Sequence, residues 1–247
     1  MAEVRPNKGR NLKMAKKKFY LIVDTETAGN LQSPLPYDIG YKIVDRKGNV
    51  YAEKAFVVNE VFYGLEVLMQ SCYFADKIPS YHEQIRRGEK MAKSGFDIAR
   101  EMYADIKEYG VTVVGAYNMA FDLRALNNLC KFLTQGTKEN WFPKEIEEFI
   151  CIWHMATQTI CSKVSYIKTA IEQGWVSEKG NIQTSAEVVY RYITQQFNFV
   201  EEHKGLEDVE IEVDILVKVF SMKVKVTQSI NTSCWQIPQQ VRKNKGL

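Results

Sequence analysis

The sequence predicts an α/β protein, because short apolar strands alternate with longer amphipathic segments along its 247 residues. The first observation is a run of five large apolar residues at positions 19–23, which is typical of a strand buried on both faces. The second is the pair Gly48 and Asn49 between two alternating runs, which indicates a hairpin. Two further short runs, 111–116 and 151–153, bring the expected number of strands to five.

The segments before residue 134 are assigned from periodicity and turn residues. Gly29 and two prolines predict a loop after the first strand, and the hairpin strands cover 38–45 and 50–58. Residues 60–109 are expected to be mainly helical, with a break near Pro79 and a stop at Gly110. The strand 111–116 then leads into a helix that should reach about residue 133.

The second half of the chain is expected to be mostly helical. A loop and a short helix are predicted in 134–150, helical stretches up to about 172, and a loop or small hairpin in 174–183. Thr184 and Glu187 have the spacing of a capping box, which predicts a helix to about 192. A last amphipathic helix should begin after the segment 203–208 and end near residue 224.

Composition excludes several classes of protein. The content of 45% hydrophobic and 26% charged residues is that of a soluble globular chain, long enough for one large domain. The five cysteines are scattered, odd in number and form no C-x-x-C pair, which favours a reducing, cytoplasmic compartment and argues against structural zinc. No apolar run could span a membrane, and five apolar residues before Asp24 are too few for a signal peptide.

The basic residues are concentrated at the two ends of the chain. Residues 1–18 contain seven Lys or Arg and one Glu, and residues 241–247 contain three basic residues and no acid, which leaves a mildly acidic body. Basic arms could contact phosphate groups while the body holds cations. Disordered solubilising tails explain the same pattern equally well, and Met14 could be a second start that makes the first arm dispensable.

Two carboxylates follow the first strand. Asp24 and Glu26 are two positions apart, so on a strand they point to the same face and converge at its C-terminal end. Converging carboxylates repel each other and lose hydration, and bound divalent cations can offset that cost. A D-x-E pair alone is weak evidence, because an exposed strand end can contain one by chance.

Two further acidic residues could join this pair in one site. Asp122 lies just past the buried strand 111–116, in the first turn of a predicted helix. Asp208 is five positions after His203, a separation of roughly 140° on a continuous helix, so the two would not share a face. They can converge only if His203 lies in the loop before the helix, a bend that Gly205 makes easy.

These segments resemble the three motifs of the DEDD superfamily of 3′→5′ exonucleases, in its DEDDh branch, the DnaQ-like group. The first is Leu-Ile-Val-Asp-Thr-Glu-Thr-Ala-Gly at 21–29, the second Val-Gly-Ala-Tyr-Asn-Met-Ala-Phe-Asp at 114–122, and the third His-Lys-Gly-Leu-Glu-Asp at 203–208. Their order and spacing are those of the family, and together they frame residues 19–225. Gly205 and Val209 depart from the alanines usual around the third motif, and 60–109 is longer than a minimal member needs.

The resemblance implies a ribonuclease-H-like fold, a five-stranded mixed sheet with helices on both faces, which agrees with the independent strand count. The corresponding domains are a basic arm over 1–18, an exonuclease domain over 19–225 and a tail over 226–247. Residues 60–109 would be a helical elaboration of that domain.

The resemblance also implies roles for single residues. Asp24 would bridge two Mg²⁺ or Mn²⁺ ions per active site, Glu26 and Asp208 would hold the ion on the nucleophile side, and Asp122 the other. His203 would orient and deprotonate the attacking water, since an imidazole with a reference pKa of about 6.5 suits that task near neutral pH. The positions expected near the 3′-terminal nucleotide, or supporting the site, are Thr27, Ala28, Gly29, Phe121 and Asn118.

The expected activity is 3′→5′ hydrolysis of single-stranded DNA or RNA to nucleoside 5′-monophosphates, with the choice of sugar left open. A proofreading role would require a separate polymerase or replication partner. Two alternatives stay open: a catalytically silent nucleic-acid-binding module on the same fold, and an accessory protein that uses only its basic tails. His82 is expected on the surface and His154 in a structural role, while Glu212 and Asp214 are expected on a solvated helix face.

Overall fold

The computed structural model describes residues 17–201 and 203–247. Apart from Lys17 and Lys18, the predicted basic arm therefore lies outside the described residues. The centre of the molecule is one mixed sheet whose six strands have the order β4-β3-β2-β1-β5-β6. The strands are β1 (Phe19–Ala28), β2 (Leu35–Asp45), β3 (Val50–Val58), β4 (Met91–Lys93), β5 (Val113–Ala116) and β6 (Glu148–Cys151).

Strand β1 lies between an antiparallel half and a parallel half of the sheet. It pairs antiparallel with β2, which pairs antiparallel with β3, so the predicted hairpin is confirmed and forms a three-stranded meander with β1. On its other side β1 pairs parallel with β5, and β5 pairs parallel with β6. The two acids at the end of β1 therefore lie near the middle of the sheet, where elements from both halves can reach them.

The expected count of five strands is wrong, because the sheet has six. The additional strand, β4, is three residues long and pairs parallel with β3 at the sheet edge. Its residues Met91, Ala92 and Lys93 are exposed or half-buried, so they form no apolar run that periodicity could detect. The strand expected at 151–153 is displaced as well. It ends at Cys151, and Trp153 already belongs to the next helix.

Ten α-helices and one 3₁₀ turn (Ala75–Lys77) are found in the described residues. The helices are α1 (Asn59–Phe62), α2 (Glu66–Gln70), α3 (Ile78–Arg86), α4 (Gly95–Tyr109), α5 (Met119–Leu133), α6 (Ile152–Thr159), α7 (Val164–Glu172), α8 (Ala186–Thr194), α9 (Gly205–Ser221) and α10 (Gln236–Lys245). No helix within 17–201 or 203–247 is both long and apolar enough to cross a membrane.

Local signals in the sequence lie within a few residues of the features they indicate. Pro79 lies in the first turn of α3, where proline is tolerated, so it starts a helix rather than breaking one. The N-cap of α8 is Ser185, whose hydroxyl accepts the Val188 amide, and not Thr184. Segment 174–183, predicted as a loop or a small hairpin, contains an antiparallel bridge between Val176 and Ile182, which favours the hairpin.

Each face of β1 is covered by its own apolar core. Leu21 and Val23 point to one side and pack in a cluster with residues of α4 and α5. Tyr20 and Ile22 point to the other side and pack in a cluster with residues of α6 to α9. Because the side chains of a strand alternate, Asp24 and Glu26 follow Tyr20 and Ile22 on the α9 side of the sheet.

Helix α9 begins in direct contact with strand β2. A Cβ atom built on Gly205 would lie 2.7 Å from the Gly40 nitrogen and 3.4 Å from the carbonyl oxygen of Asp24. A side chain on either glycine would therefore push the helix off the sheet. This contact sets the distance between the start of α9 and the end of β1, where the candidate site lies.

Candidate active site

Strand β1 carries the first two acids of the site. Asp24 and Glu26 lie on the α9 side of the strand, opposite Gly40 and Asp38 of β2, and the register shifts between Glu26 and Thr27. Glu26 has only 8% of its surface exposed, whereas Asp24 is half-buried. The expected convergence of the two carboxylates at one end of the strand is therefore present.

Helix α5 brings Asp122 to the same place from the opposite face of the sheet. Asp122 lies in the first turn of α5 and is 3% exposed. Its Oδ1 accepts a hydrogen bond of 2.9 Å from the hydroxyl of Thr25, the residue between the two strand acids. Thr25 thus connects the acid of the second motif to the D-x-E pair.

The third motif places His203 in the loop before α9 and Asp208 within the helix, the arrangement that their five-residue spacing requires if they are to converge. His203 lies before α9 with a φ of 51°, outside the helix, and Asp208 lies in the first turn of α9. Ligand atoms of Glu26, His203 and Asp208 all lie within 4.8 Å of one another. Two carboxylates and an imidazole at this separation could hold a metal ion.

The carboxylates are strongly perturbed by their surroundings. Burial, followed by the charge of Asp38, raises the pKa of Glu26 to about 7. Burial likewise raises the pKa of Asp122 to about 7, and burial with the charge of Glu201 raises the pKa of Asp208 to about 9. Burial and the charge of Asp122 raise the pKa of Asp24 well above its usual range. Such a set favours bound protons or bound cations at neutral pH.

Glu212 was expected on a solvated helix face, and the structure overturns that expectation. Its side chain is 2% exposed and lies one turn beyond Asp208 on α9, whereas Asp214 is exposed as predicted. Burial and the charge of Asp122 raise the pKa of Glu212 well above its usual range. The four-residue spacing from Asp208 puts the two acids on one helix face, and that signal in the sequence could have found it.

The helical elaboration also reaches the site, through residues that the sequence did not indicate. The ring of Phe74 stacks on the imidazole of His203, and the ammonium of Lys77 lies 4.4 Å from the centroid of the Phe74 ring. The positive charge of Lys77 lowers the pKa of Glu26 and of Asp208, although burial raises both by more. It also lowers the pKa of His203, which burial lowers further. No sequence pattern pairs 74–77 with the third motif, so only the fold reveals this contact.

The predicted substrate-contacting positions lie around the same end of β1. Ala28 is fully buried, so only its backbone could face a ligand, while Gly29 begins an exposed loop with a φ of 90°. The carbonyl of Asn118 accepts the Phe121 amide at 2.8 Å and starts α5. The ring of Phe121 is half-buried, and the guanidinium of Arg124 lies 5.7 Å from its centroid.

The other two histidines take no part in the acidic site. His154 is 7% exposed and its Nδ1 lies 2.8 Å from the carbonyl oxygen of Ser229, which agrees with the structural role expected of it. His82 is exposed and packs against the rings of Phe62 and Tyr63. His203 is therefore the one histidine placed beside the acids in the described residues.

Comparison with known proteins places the fold. No protein-family model matches the sequence, and no curated protein matches it. A crystal structure of exonuclease I with the inhibitor BCBP matches with a TM-score of 0.51 at 13% identity, over 84% of this chain and 44% of the other. An SSB/exonuclease I structure with the inhibitor CFAM gives a TM-score of 0.51 at 14% identity, again over 84% and 44%.

A further match is exonuclease I of E. coli in complex with a dA16 oligonucleotide, with a TM-score of 0.49 at 14% identity, over 83% of this chain and 43% of that one. The chain thus spans less than half the length of the exonuclease I chains that it matches. The first two matches show that the chain has a mixed α/β fold similar to that of exonuclease I.

Proposed function

We propose that this protein is a metal-dependent 3′→5′ exonuclease of the DEDDh type. The proposal rests chiefly on one observation, that ligand atoms of Glu26, His203 and Asp208 lie within 4.8 Å of one another at the end of β1. The charge of Asp122 also raises the pKa of Asp24. Five residues from three distant parts of the sequence, arranged in the order of the three motifs, support this function better than a chance acidic patch.

The donor set suits hard divalent cations. Carboxylate oxygens are the ligands that Mg²⁺ and Mn²⁺ prefer, and the buried Oδ1 of Asp208 has no hydrogen-bond partner among the described residues. Asp24, Glu26 and Asp208 would hold one ion, and Asp24 with Asp122 a second. When bound, such ions neutralise charge on the attacking and leaving oxygens of a phosphodiester.

His203 has the properties of a proton acceptor. Burial, followed by the charge of Lys77, lowers the pKa of its imidazole, which favours the neutral ring that can accept a proton. Its side chain remains 38% exposed, which leaves it open to water at the edge of the acidic cluster. We assign it the task of orienting an attacking water and accepting its proton.

The proposed substrate is the 3′ end of a single strand of DNA or RNA, which would be released as nucleoside 5′-monophosphates. The chain around Thr27, Gly29 and Phe121 would receive the terminal nucleotide, and Asn118 would support it. Discrimination between DNA and RNA depends on how this pocket meets the 2′ position.

The test is incubation of the purified chain with single strands of DNA and RNA labelled at either end, in Mg²⁺, in Mn²⁺ and in excess chelator. Shortening from the 3′ end in metal alone, abolished by Asp24→Asn, is the expected result. Asp214→Asn on the exposed side of α9 is the matched control and should keep full activity. Degradation in chelator, or by Asp24→Asn, would refute the proposal.

The second candidate is a binding module that kept the fold without the activity. It is disfavoured because all four carboxylates and His203 are present and lie together, whereas binding alone requires none of them. Tight single-strand binding in Ca²⁺ combined with no hydrolysis in Mg²⁺ or Mn²⁺ would favour this candidate. Replacement of His203 by Ala separates the two further, since it should cost about 10²–10⁴ in rate and little in binding if the residue is a general base.

A further inference from the structure

Glu212 is a buried acid for which the third motif gives no role. Its side chain is 2% exposed, within the helix that carries Asp208, and its Oε2 has no hydrogen-bond partner in the described part of the chain. The backbone of Tyr117 lowers the pKa of its carboxyl group, but by less than burial raises it. A buried carboxyl oxygen without a partner costs free energy, so a bound group that pairs with Oε2 would stabilise the protein.

The surroundings of Glu212 are acidic rather than basic. The charges that act on it are those of Asp122, Asp208 and Glu201, all of the same sign, and it in turn acts on Asp24. A structural role would be served better by an apolar side chain of similar size, which carries no desolvation cost. A cation held between these acids would give Oε2 a partner and would offset the repulsion among the carboxylates.

We propose that Glu212 is a fifth carboxylate of the metal site and binds the cation held by Asp24 and Asp122. The inference rests on the metal site of the proposed function, which without it is formed by four acids. The helix period places Glu212 directly after Asp208, so α9 presents two acids to the end of β1. An additional anionic ligand tightens binding of a divalent ion and makes that binding depend on Glu212.

The test measures Mn²⁺ binding apart from hydrolysis. Calorimetric titration and the loss of the free-Mn²⁺ paramagnetic signal give affinity and stoichiometry for the wild type, for Glu212→Gln and for Asp214→Asn. Glu212→Gln keeps the size of the side chain and removes its charge, and we expect it to weaken at least one Mn²⁺ by about tenfold or more, the range seen when groups that support a metal site are removed. Asp214→Asn should bind as the wild type does.

Unchanged Mn²⁺ affinity and stoichiometry in a folded Glu212→Gln would overturn the inference and leave Glu212 as a protonated structural acid. If that variant does not fold, Glu212→Met, an apolar side chain of similar size, replaces it and is subject to the same criterion. A wild type that binds Mn²⁺ through Glu212 but shortens no nucleic acid would refute the exonuclease proposal and uphold this one. A wild type that binds no Mn²⁺ would overturn this inference.

Discussion

The ring of Phe74 stacks on the imidazole of His203, with the ring centroids 4.5 Å apart and the planes 19° from parallel. Phe74 belongs to the elaboration over 60–109, to which the sequence assigns no function. Phe74 itself lies in the short connection between α2 and the 3₁₀ turn. Its stack with His203 fixes the plane of the proposed general base. The elaboration therefore contributes to the site rather than only to the bulk of the domain.

The first prediction concerns this stack. Phe74→Leu keeps an apolar side chain but removes the flat surface that orients the imidazole, so kcat should fall by about 10- to 100-fold, as small misplacements of catalytic groups do. KM should change little, because the proposed substrate-binding positions are untouched. Val67→Ala is the control, since the side chain of Val67 belongs to the same elaboration and is 82% exposed. Equal losses in both variants, or none in Phe74→Leu, would show that the stack does not orient His203.

The second prediction concerns the contact between α9 and β2. Gly205→Ala places a Cβ 2.7 Å from the Gly40 nitrogen, so the start of α9 must move and take Asp208 with it. We expect a lower melting temperature together with weaker Mn²⁺ binding, measured by thermal unfolding with and without the ion. Gly110→Asn is the control, because a Cβ there meets nothing within 4 Å and asparagine tolerates its φ of 63°. A Gly205→Ala variant that binds Mn²⁺ normally would contradict the account.

The third prediction concerns a buried ion pair that holds the start of α9. Asp38 and Lys90 are 0% and 6% exposed and form a salt bridge, and Asp38 Oδ2 also accepts the Gly205 amide at 3.2 Å and the Tyr81 hydroxyl at 2.7 Å. Asp38→Asn leaves the Lys90 ammonium buried without a counter-charge, which typically costs about 3–5 kcal/mol.

Urea unfolding measures that cost. The pair of half-buried Glu83 with exposed Arg86 is the control at the surface, and Glu83→Gln should change stability by less than about 1 kcal/mol. The double variant Asp38→Asn, Lys90→Met should regain part of the stability, because the unpaired charge is removed. A destabilisation of the same size in Asp38→Asn and Glu83→Gln would refute the assigned role of the pair.

The fourth prediction concerns pH. The pKa values of about 7 for Glu26 and Asp122 and about 9 for Asp208 lie above the usual carboxyl range, so the metal-free folded state holds protons that the unfolded chain has released. Stability of the metal-free protein should therefore fall as the pH rises from about 4 towards 9. Mn²⁺ must displace these protons, so its affinity should rise over the same range.

Thermal unfolding across pH, with and without Mn²⁺, tests both the fall in stability and the rise in Mn²⁺ affinity. Calorimetry in two buffers of different ionisation enthalpy counts the protons released on binding. A single substitution, Asp208→Asn, should flatten the upper part of the metal-free profile, between about pH 7 and 9, because the pKa of Asp208 lies above those of Glu26 and Asp122. Stability that rises with pH in the metal-free protein would contradict the assignment.

The sequence was informative where a pattern is local and repeated. The alternation of 38–45 and 50–58, the buried run before Asp24 and the loop position of His203 all follow from side-chain periodicity, and the structure has them. Strand β4 was not predicted, because three residues at a sheet edge need no apolar run. The stack of Phe74 on His203 and the ion pair of Asp38 with Lys90 join residues 52 or more positions apart, and such pairings are set by tertiary packing alone.

The last prediction concerns the basic arm, of which only Lys17 and Lys18 are described. Lys17 forms a salt bridge with Asp45, and its ammonium lies 4.3 Å from the centroid of the Tyr51 ring, at the end of β1 opposite to Asp24. Residues 1–13 precede the three motifs in the sequence and include none of the proposed metal ligands. If they contact phosphates of the bound strand, their deletion should weaken binding most at low salt and leave turnover at saturation nearly unchanged.

The measurement is the affinity for a short single strand at several salt concentrations, with Ca²⁺ in place of Mg²⁺ to prevent hydrolysis. Each phosphate that the truncated chain no longer neutralises should reduce the slope of log affinity against log salt by about 0.7. The start at Met14 gives the truncated chain a natural first residue and keeps Lys17 with its partners. Identical slopes for the full and truncated chains would make the arm a solubilising tail, because an arm that neutralises phosphates must change the number of counterions released.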